Sequence, residues 1–504
     1  MYDSLMYQIL RNFPFDPTDD QMYALDVFER FMTDSDERCV MILRGSAGTG
    51  KTALASVIVR TLLNLQYKIS LLAPTGRAAK VFSLNSGQPA ATIHRSIYRE
   101  RTFAGLDGKF NLNANLYRNR LFMIDEASMI SLTSVNSTFG SGCLLDDLIQ
   151  FVYNERNCRM LLIGDKAQLP PVGEAESPAL RTDVLAAYGL KVYECDLNEV
   201  LRQSQDSGIL YNATIIRQMI THDQATALPK IRFKGFADIS IVPGDELIES
   251  LSTSYADVGI DETMVITRSN KRANIFNQGI RNMVLGREEE LTTGDMLMVV
   301  KNKYKAPHNP PERGEAQVAG EGMQGKATSN KGLTSFRGIE GGFIANGDRA
   351  IVRSVRNVRE LYGFRFADVT LSFPDYDNTE EDMIVILDTL TTEAPALTHE
   401  QNEQLFQQVL ADYADVPLKS DRMKKIREDD YYNALQVKFG YAITCHKAQG
   451  GQWAHIYLDQ GYMTDEMLTP DYIHWLYTAF TRATEKLFLV NWPKAQTEEV
   501  NHSS

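Results

Sequence analysis

The sequence predicts an α/β protein with two parallel-sheet regions and a small β-barrel inserted in the second. Three observations predict it. From residue 39 to residue 200, strand-length apolar runs alternate with helical stretches, the rhythm of βαβ units whose parallel sheet is covered by helices. The rhythm resumes near Gln203 and continues to Val490. At the head of the first region, Gly45-Ser46-Ala47-Gly48-Thr49-Gly50-Lys51-Thr52 fits G-x-x-x-x-G-K-[ST]. It lies between a strand-like apolar run, residues 39–43, and a helical run, residues 53–59.

The elements follow in order. An extended opening, Phe13-Pro14-Phe15-Asp16-Pro17, runs into a helix with Thr18 or Asp19 as its N-cap. Strands of the first region are expected at 40–43, 69–73, 121–124, 160–163 and 192–195. The polar stretch 98–120 interrupts them, and its Leu106-Asp107-Gly108-Lys109 signals a β-hairpin or small insertion around a D-G turn. In the second region, strands are expected at 264–267, 297–300, 456–458 and 487–490. Residues 303–342, with Ala306-Pro307-His308-Asn309-Pro310-Pro311 near their start, hold little apolar content and read as a long mobile loop. Short strands at 350–355 and 369–371 suggest the barrel, and 399–415 reads as an amphipathic helix. No internal sequence repeat is evident.

Bulk properties narrow the classes. The 504 residues suffice for about three or four domains, and 43% hydrophobic content suits soluble domains with full cores. No apolar run approaches the ~20 residues of a membrane span. The start, Met1-Tyr2-Asp3-Ser4-Leu5, carries no signal-peptide pattern. Five scattered cysteines (Cys39, Cys143, Cys158, Cys195, Cys445), without CxxC spacing, read as buried reduced thiols, which fits a cytoplasmic chain. The net charge of -13 argues against a globally basic nucleic-acid binder. It leaves room for a lined groove: residues 375–403 are rich in acids and lack Lys and Arg, while the motif segments carry both.

The motifs carry the chemistry. Glycines 45, 48 and 50 let backbone N–H groups converge on phosphate oxygens at a helix N-terminus. Lys51 is placed to reach the β/γ-phosphates and Thr52 to hold Mg²⁺. The apolar strand Leu121-Phe122-Met123-Ile124 ends in Asp125-Glu126, which puts carboxylates in the ligand crevice at a parallel strand's carboxyl end. Asp125 would hold Mg²⁺, and Glu126 would position or deprotonate an attacking water. Gln168, in Gly164-Asp165-Lys166-Ala167-Gln168-Leu169-Pro170-Pro171, fits a γ-phosphate contact or a plain Gly-Asp turn. Arg202 and Arg482 could supply positive charge to the transferring phosphoryl group or simply sit at the surface. Thr444-Cys445-His446-Lys447-Ala448-Gln449-Gly450-Gly451 suits contacts to a nucleic-acid backbone or a polar helix start.

In order, GSAGTGKT, APTGRAAK, ATIHRSIY, MIDEASM, GDKAQLPPV, LRQ, TCHKAQGGQW and LYTAFTRAT resemble the motif series of superfamily 1 helicases. Within them the set is similar to the RecD/Dda/Pif-like group, superfamily 1B, over residues 21–490. The resemblance implies two RecA-like domains with ATP and Mg²⁺ between them and single-stranded DNA crossing both. It implies that Gln21 reads adenine and that Gly45, Ser46, Ala47, Gly48, Thr49, Gly50, Lys51 and Thr52 hold the phosphates. Gln452 stands where a glutamate ATP contact is frequent. Asp125 with Thr52 would take the metal, Glu126 and Gln168 would serve hydrolysis, and Arg202 and Arg482 would be arginine fingers from the second domain. Pro74, Thr75, Gly76, Arg77, Thr92, His94, Thr444, His446, Lys447 and Gln449 would contact DNA.

The implied domains are 1–200 (first RecA-like domain, with a pin insertion at 98–120), 201–302 plus 438–495 (second RecA-like domain) and 343–437 (SH3-like), with 303–342 outside the core pattern. Phe82, Tyr98 and Trp453 are candidates for stacking on bases. The expected activity is ATP-dependent 5′→3′ translocation on single-stranded DNA with duplex unwinding, by a monomer acting at single-strand/duplex junctions, in DNA repair or recombination. The long N-terminal extension of RecD proteins is not expected. Two other readings stay open: a protein-displacing translocase with weak unwinding, and a nucleotide-switched DNA-binding module.

Overall fold

The computed structural model describes residues 4–100, 110–132, 140–199, 206–222, 227–304 and 343–498. In the first half, α1 (Leu5–Leu10) and α2 (Asp19–Thr33) precede β1 (Cys39–Gly45), α3 (Lys51–Asn64), β2 (Lys68–Ala73), α4 (Gly76–Ser86) and β3 (Ala90–Thr92). There follow α5 (Ile93–Ile97), β4 (Tyr98–Glu100), β5 (Phe110–Leu112), β6 (Arg120–Ile124), α6 (Leu144–Tyr153), β7 (Arg159–Gly164), α7 (Thr182–Ala187) and β8 (Lys191–Leu197). Six strands form a parallel sheet in the order β3-β2-β6-β7-β1-β8.

The central strand shows why these runs are apolar throughout rather than alternating. Met41 and Leu43 face a core with Phe28 of α2 and Leu54, Val57 and Ile58 of α3. Val40 and Ile42 face the opposite core with Leu145 and Leu148 of α6. A strand covered on both faces needs apolar residues at every position. Each such side chain contributes roughly 1.5–3 kcal/mol on burial.

The second half contains α8 (Gly208–Thr221), β9 (Ile239–Val242), α9 (Leu247–Asp257), β10 (Thr263–Thr267), α10 (Asn270–Gly279), β11 (Met296–Val299), β12 (Lys303–Tyr304) and β13 (Phe343–Ile344). Then come β14 (Arg349–Leu361), β15 (Phe364–Phe373), β16 (Thr379–Ile386), α11 (His399–Asp412), α12 (Lys419–Glu428) and β17 (Leu435–Phe439). The chain ends through β18 (Ala442–Thr444), α13 (Cys445–Ala448), β19 (Trp453–Asp459), α14 (Pro470–Phe480) and β20 (Ala483–Val490). The second parallel sheet runs β18-β10-β19-β20-β9. Strands β11, β14, β15, β16 and β17 close a barrel, antiparallel except where β16 meets β17. Among the described residues no helix is long and apolar enough to cross a membrane.

Several expectations need correction. Residues 297–300 do not belong to the second parallel sheet; β11 pairs antiparallel with β14 and β17 and opens the barrel. A four-residue apolar run carries no periodicity that separates these two settings. The barrel strands β14 and β15 are far longer than the short strands expected, because register shifts between Val352 and Ser354 and between Arg356 and Arg359 break the two-residue alternation that would mark one long strand. The helix expected at 399–415 stops at Asp412, and α12 follows it. Strands β3, β9 and β18 of the parallel sheets and β16 and β17 of the barrel were not expected. The 98–120 insertion does form a ribbon, β4 against β5, but Asp107 and Gly108 lie outside the described residues, as do Arg202 and residues 305–342.

Candidate functional site

The motif segments gather because each follows the carboxyl end of a parallel strand. β1 leads into residues 45–52, β2 into 74–77, β3 into 92–94, β6 into 125–126, β7 into 165–168 and β18 into 444–449. Parallel strands place all their carboxyl ends on one edge of the sheet, where open α/β sheets bind ligands.

In the glycine loop, Gly48 and Gly50 adopt φ of 78° and 80°, a region that side chains disfavour. Gly45 is needed for space: a Cβ there would meet Thr49 Oγ1 at 2.7 Å and Leu197 Cβ at 3.0 Å. Lys51 opens α3 and turns back to donate from Nζ to the carbonyls of Gly45 (2.5 Å) and Ser46 (2.9 Å). Thr52 follows with its side chain exposed. Gln21 is fully buried. Its side chain completes a capping box with Thr18 at the start of α2 and donates from Nε2 to the Thr49 carbonyl (3.2 Å). Capping α2 and supporting the loop are thus one interaction network.

Asp125 and Glu126 face the loop from β6. Burial, and secondly the Glu126 charge, push the Asp125 carboxyl up to about 7. Glu126 sits at φ 52°, a left-handed conformation that costs a non-glycine residue of order 1 kcal/mol and recurs at functional sites. Its Oε1 lies 3.8 Å from Arg482 Nη1, across the cleft between the two sheets. With its carboxamide nitrogen facing Glu126, Gln168 donates to Glu126 Oε2 (3.3 Å) and accepts from Arg482 Nη2 (3.2 Å). Arg482 is 2% exposed and anchored on the carbonyls of Thr478 (3.1 Å) and Gly451 (3.2 Å). Three residues from distant motifs therefore form one chain of contacts. Gln452 lies exposed beyond them, its carbonyl accepting from Arg77 Nη2 (2.8 Å).

Sequence reasoning missed the residues that join the two halves here. Tyr477 of α14, 1% exposed, donates to Asp165 Oδ2 (2.6 Å) and accepts from the Ala47 N–H of the glycine loop (2.9 Å). Burial, and then Asp165, hold its phenol well above the ordinary value. His474 Nδ1 meets the Ala167 carbonyl (2.9 Å), Thr478 Oγ1 accepts from Leu169 N–H (2.8 Å), and Gln449 Nε2 donates to the Leu169 carbonyl (2.6 Å). Residues 474, 477 and 478 share one face of a helix, so α14 holds the loop on both sides of Gln168. Arg217 of α8 donates from Nη1 to Ser46 Oγ (2.5 Å). The position of Tyr477 inside the Leu-Tyr-Thr-Ala-Phe-Thr-Arg motif was the available signal; for Arg217 there was none.

The remaining motif residues line the adjoining part of the cleft. Thr75 caps α4 and Thr92 caps α5. Pro74 and His94 are half-buried, and burial takes the His94 imidazole down to about 4. Thr444 opens α13, on which His446 is exposed and Lys447 half-buried. Gly450, at φ 73°, touches the start of α4: a Cβ there would lie 2.8 Å from Ala78 Cβ and 3.2 Å from Thr75 Oγ1. Gly76 packs equally closely on the barrel, where a Cβ would meet Asp348 Oδ1 at 2.6 Å.

Arg77 is engaged rather than free. The barrel turn after β15 presents Asp375, with a fully buried side chain, whose Oδ1 lies 3.3 Å from Arg349, 3.5 Å from Arg77 and 3.7 Å from Lys80. Burial alone would raise the Asp375 carboxyl, but Arg349, Arg77 and Lys80 outweigh it and hold it below the usual range. Phe82 (0% exposed), Tyr98 (8%) and Trp453 (2%) are core residues, which corrects their reading as stacking platforms. Their ring faces are spent on packing, as for most large aromatics.

Comparison with known proteins gives matches in both halves. An AAA domain matches residues 25–232, and a UvrD-like helicase C-terminal domain matches residues 439–490. The chain is similar to the ATP-dependent DNA helicase dda of Enterobacteria phage T4, 24% identical over 58% of this chain and 62% of that one. It is similar to the ATP-dependent DNA helicase Pif1 of a Psychrobacter species, 25% identical over 81% of this chain and 60% of that one. The matched stretches thus span about three fifths of these relatives' own lengths. Among solved structures, Bacteroides Pif1 bound to single-stranded DNA aligns over 96% of this chain and 95% of that one, at 15% identity and a TM-score of 0.45.

Proposed function

We propose that this chain, a member of the RecD/Dda/Pif-like group of superfamily 1B helicases, is an ATP-dependent DNA helicase that moves 5′→3′ on single-stranded DNA and separates duplex at single-strand/duplex junctions. The observation that carries the reading is the contact chain Glu126–Gln168–Arg482, which joins residues of both sheets beside the glycine loop. A single-domain phosphate-binding protein has no need of such a junction. In this reading ATP binding draws the halves together, and hydrolysis lets them part.

Each residue has a part. Lys51 leaves its loop carbonyls for the β/γ-phosphates, while the loop amides of residues 45–50 hold the chain of phosphates. Gln21 steadies the loop through Thr49 and reads the base, and Gln452 stands at the place of an ATP-contacting glutamate. The donor set at Asp125 and Thr52 fits Mg²⁺: a carboxyl raised by burial, and secondly by the Glu126 charge, gains from a cation beside it. Bound there, the metal would neutralise charge on the phosphates. Glu126 orients water for attack and takes its proton. Gln168 couples Glu126 to Arg482, which stabilises charge on the transferring group together with Arg202. Pro74, Thr75, Gly76, Thr92 and His94 on one side, and Thr444, His446, Lys447 and Gln449 on the other, hold the DNA backbone, while Arg77 is held by Asp375 and the Gln452 carbonyl. Gln449 links that groove to the Gln168 loop through Leu169.

The test compares unwinding of 5′-tailed and 3′-tailed duplexes, with Lys51→Ala as the inactive control. Preference for the 5′ tail is expected. Unwinding from the 3′ tail would overturn the polarity, and DNA-stimulated ATPase without unwinding from either tail would favour the protein-displacing translocase.

A further inference from the structure

Arg217 holds a place in the nucleotide site that none of the motifs accounts for. It lies on α8, whose Ile209, Ala213 and Ile216 are buried in the core of the second half. That packing fixes the helix and turns the next residue, half-buried Arg217, toward the first half. Its Nη1 donates to Ser46 Oγ at 2.5 Å. Among the described residues this is the only hydrogen bond of its side chain, and no carboxylate pairs with it. A guanidinium has five donors, so most of its capacity is uncommitted. A half-buried cation without a counter-charge is costly unless an anion joins it.

The neighbourhood says which anion. Ser46 is 6% exposed, and its carbonyl accepts from Lys51 Nζ (2.9 Å) and from Thr49 Oγ1 (2.8 Å). Arg217 and Lys51 thus meet at the two polar ends of one loop residue. The next residue, Ala47, is held by Tyr477, whose phenol lies close enough to feel the Arg217 charge. All three contacts fall on the part of the glycine loop where phosphates gather.

We propose that Arg217 is a positioning residue for the nucleoside triphosphate: it ties Ser46 to α8 and supplies a positive charge at the mouth of the loop, favouring the more highly charged triphosphate over the diphosphate. The inference rests on the ATP-site reading above, and it adds a cation from a helix that carries neither Arg202 nor Arg482.

The experiment is steady-state ATPase at saturating single-stranded DNA, with ADP inhibition and thermal melting, on wild type, Arg217→Met, Arg217→Lys, Ser46→Ala and the double variant Arg217→Met/Ser46→Ala. Arg217→Met should raise KM for ATP about tenfold, the size of one lost charge-assisted hydrogen bond. The Ki for ADP should rise less, because the diphosphate carries less charge. Arg217→Lys should recover most of the loss. The double variant should be no worse than Arg217→Met, since both remove the same bond.

An unchanged KM in Arg217→Met, or strictly additive losses in the double variant, would overturn the proposal. So would equal losses for ATP and ADP accompanied by a lowered melting temperature, the signature of a merely structural arginine. A wild-type protein without DNA-stimulated ATPase would instead overturn the reading on which the inference rests.

Discussion

Replacing Tyr477 by Phe removes one oxygen and leaves the ring packing intact. In the structure that oxygen donates to Asp165 Oδ2 at 2.6 Å and accepts from the Ala47 N–H at 2.9 Å, within a site where Tyr477 is 1% and Asp165 3% exposed. A hydrogen bond to a charged acceptor contributes about 1.5–3 kcal/mol; an N–H left without an acceptor costs about 1–3 kcal/mol when buried, and half-buried Ala47 falls at the low end. Asp165 keeps the Ala167 N–H on its other oxygen (2.9 Å), and a water entering the vacated space would recover part of the loss. The net is about 2 kcal/mol.

Both bonds join α14 to the first half, so the loss falls on closure of the cleft rather than on either core. A 2 kcal/mol loss lowers the closing equilibrium about thirtyfold. DNA-stimulated ATPase measured across ATP concentrations should therefore show kcat/KM reduced about thirtyfold, with melting little changed. Because burial keeps the phenol neutral across the working range, the deficit should be the same from pH 6 to pH 9. A kcat/KM within twofold of wild type would refute the reasoning. So would a large drop in melting temperature with normal turnover, which would place Tyr477 in folding rather than closure.

Two further outcomes follow from the electrostatics. Asp125 is raised from 3.8 to about 7, so the folded chain holds its proton where the unfolded chain has lost it. Stability of the nucleotide-free protein should therefore fall as pH rises from about 4 to 7 and level off above, and Asp125→Asn should flatten that profile in thermal melts; an identical slope in the variant would contradict the raised value. Asp375→Ala should leave Arg77 on the Gln452 carbonyl and Lys80 on the Pro374 carbonyl but remove the carboxylate that neutralises them, tightening single-stranded DNA binding several-fold at low salt and steepening the log–log salt dependence by roughly one or more phosphate contacts in fluorescence anisotropy. Weaker binding with an unchanged slope would show that these two cations serve only to hold the barrel.

What could be read from the sequence shares one property: it is local. The glycine loop, the Asp125-Glu126 strand end and the capping Thr18 with Gln21 are each written within a few consecutive residues, because backbone turns and helix ends are satisfied by near neighbours. The βαβ rhythm is legible for the same reason, since a strand buried on both faces must be apolar at each position. Strand 297–300 shows the limit. Its residues state that it is buried, and only its partners β14 and β17 state that it opens a barrel.

The sequence alone determined that a glycine loop, a strand-end carboxylate pair and two arginine motifs occur in the order of a helicase motor. Tertiary structure decided how they become one site. Arg217 meets Ser46 across 171 residues of chain, Asp375 meets Arg77 across 298, and Tyr477 meets Ala47 across 430. At such separations no pattern of neighbours encodes the pairing. It arises because two parallel sheets each present their strand ends to a common cleft, and the helices behind them are fixed by apolar cores that have no part in the chemistry.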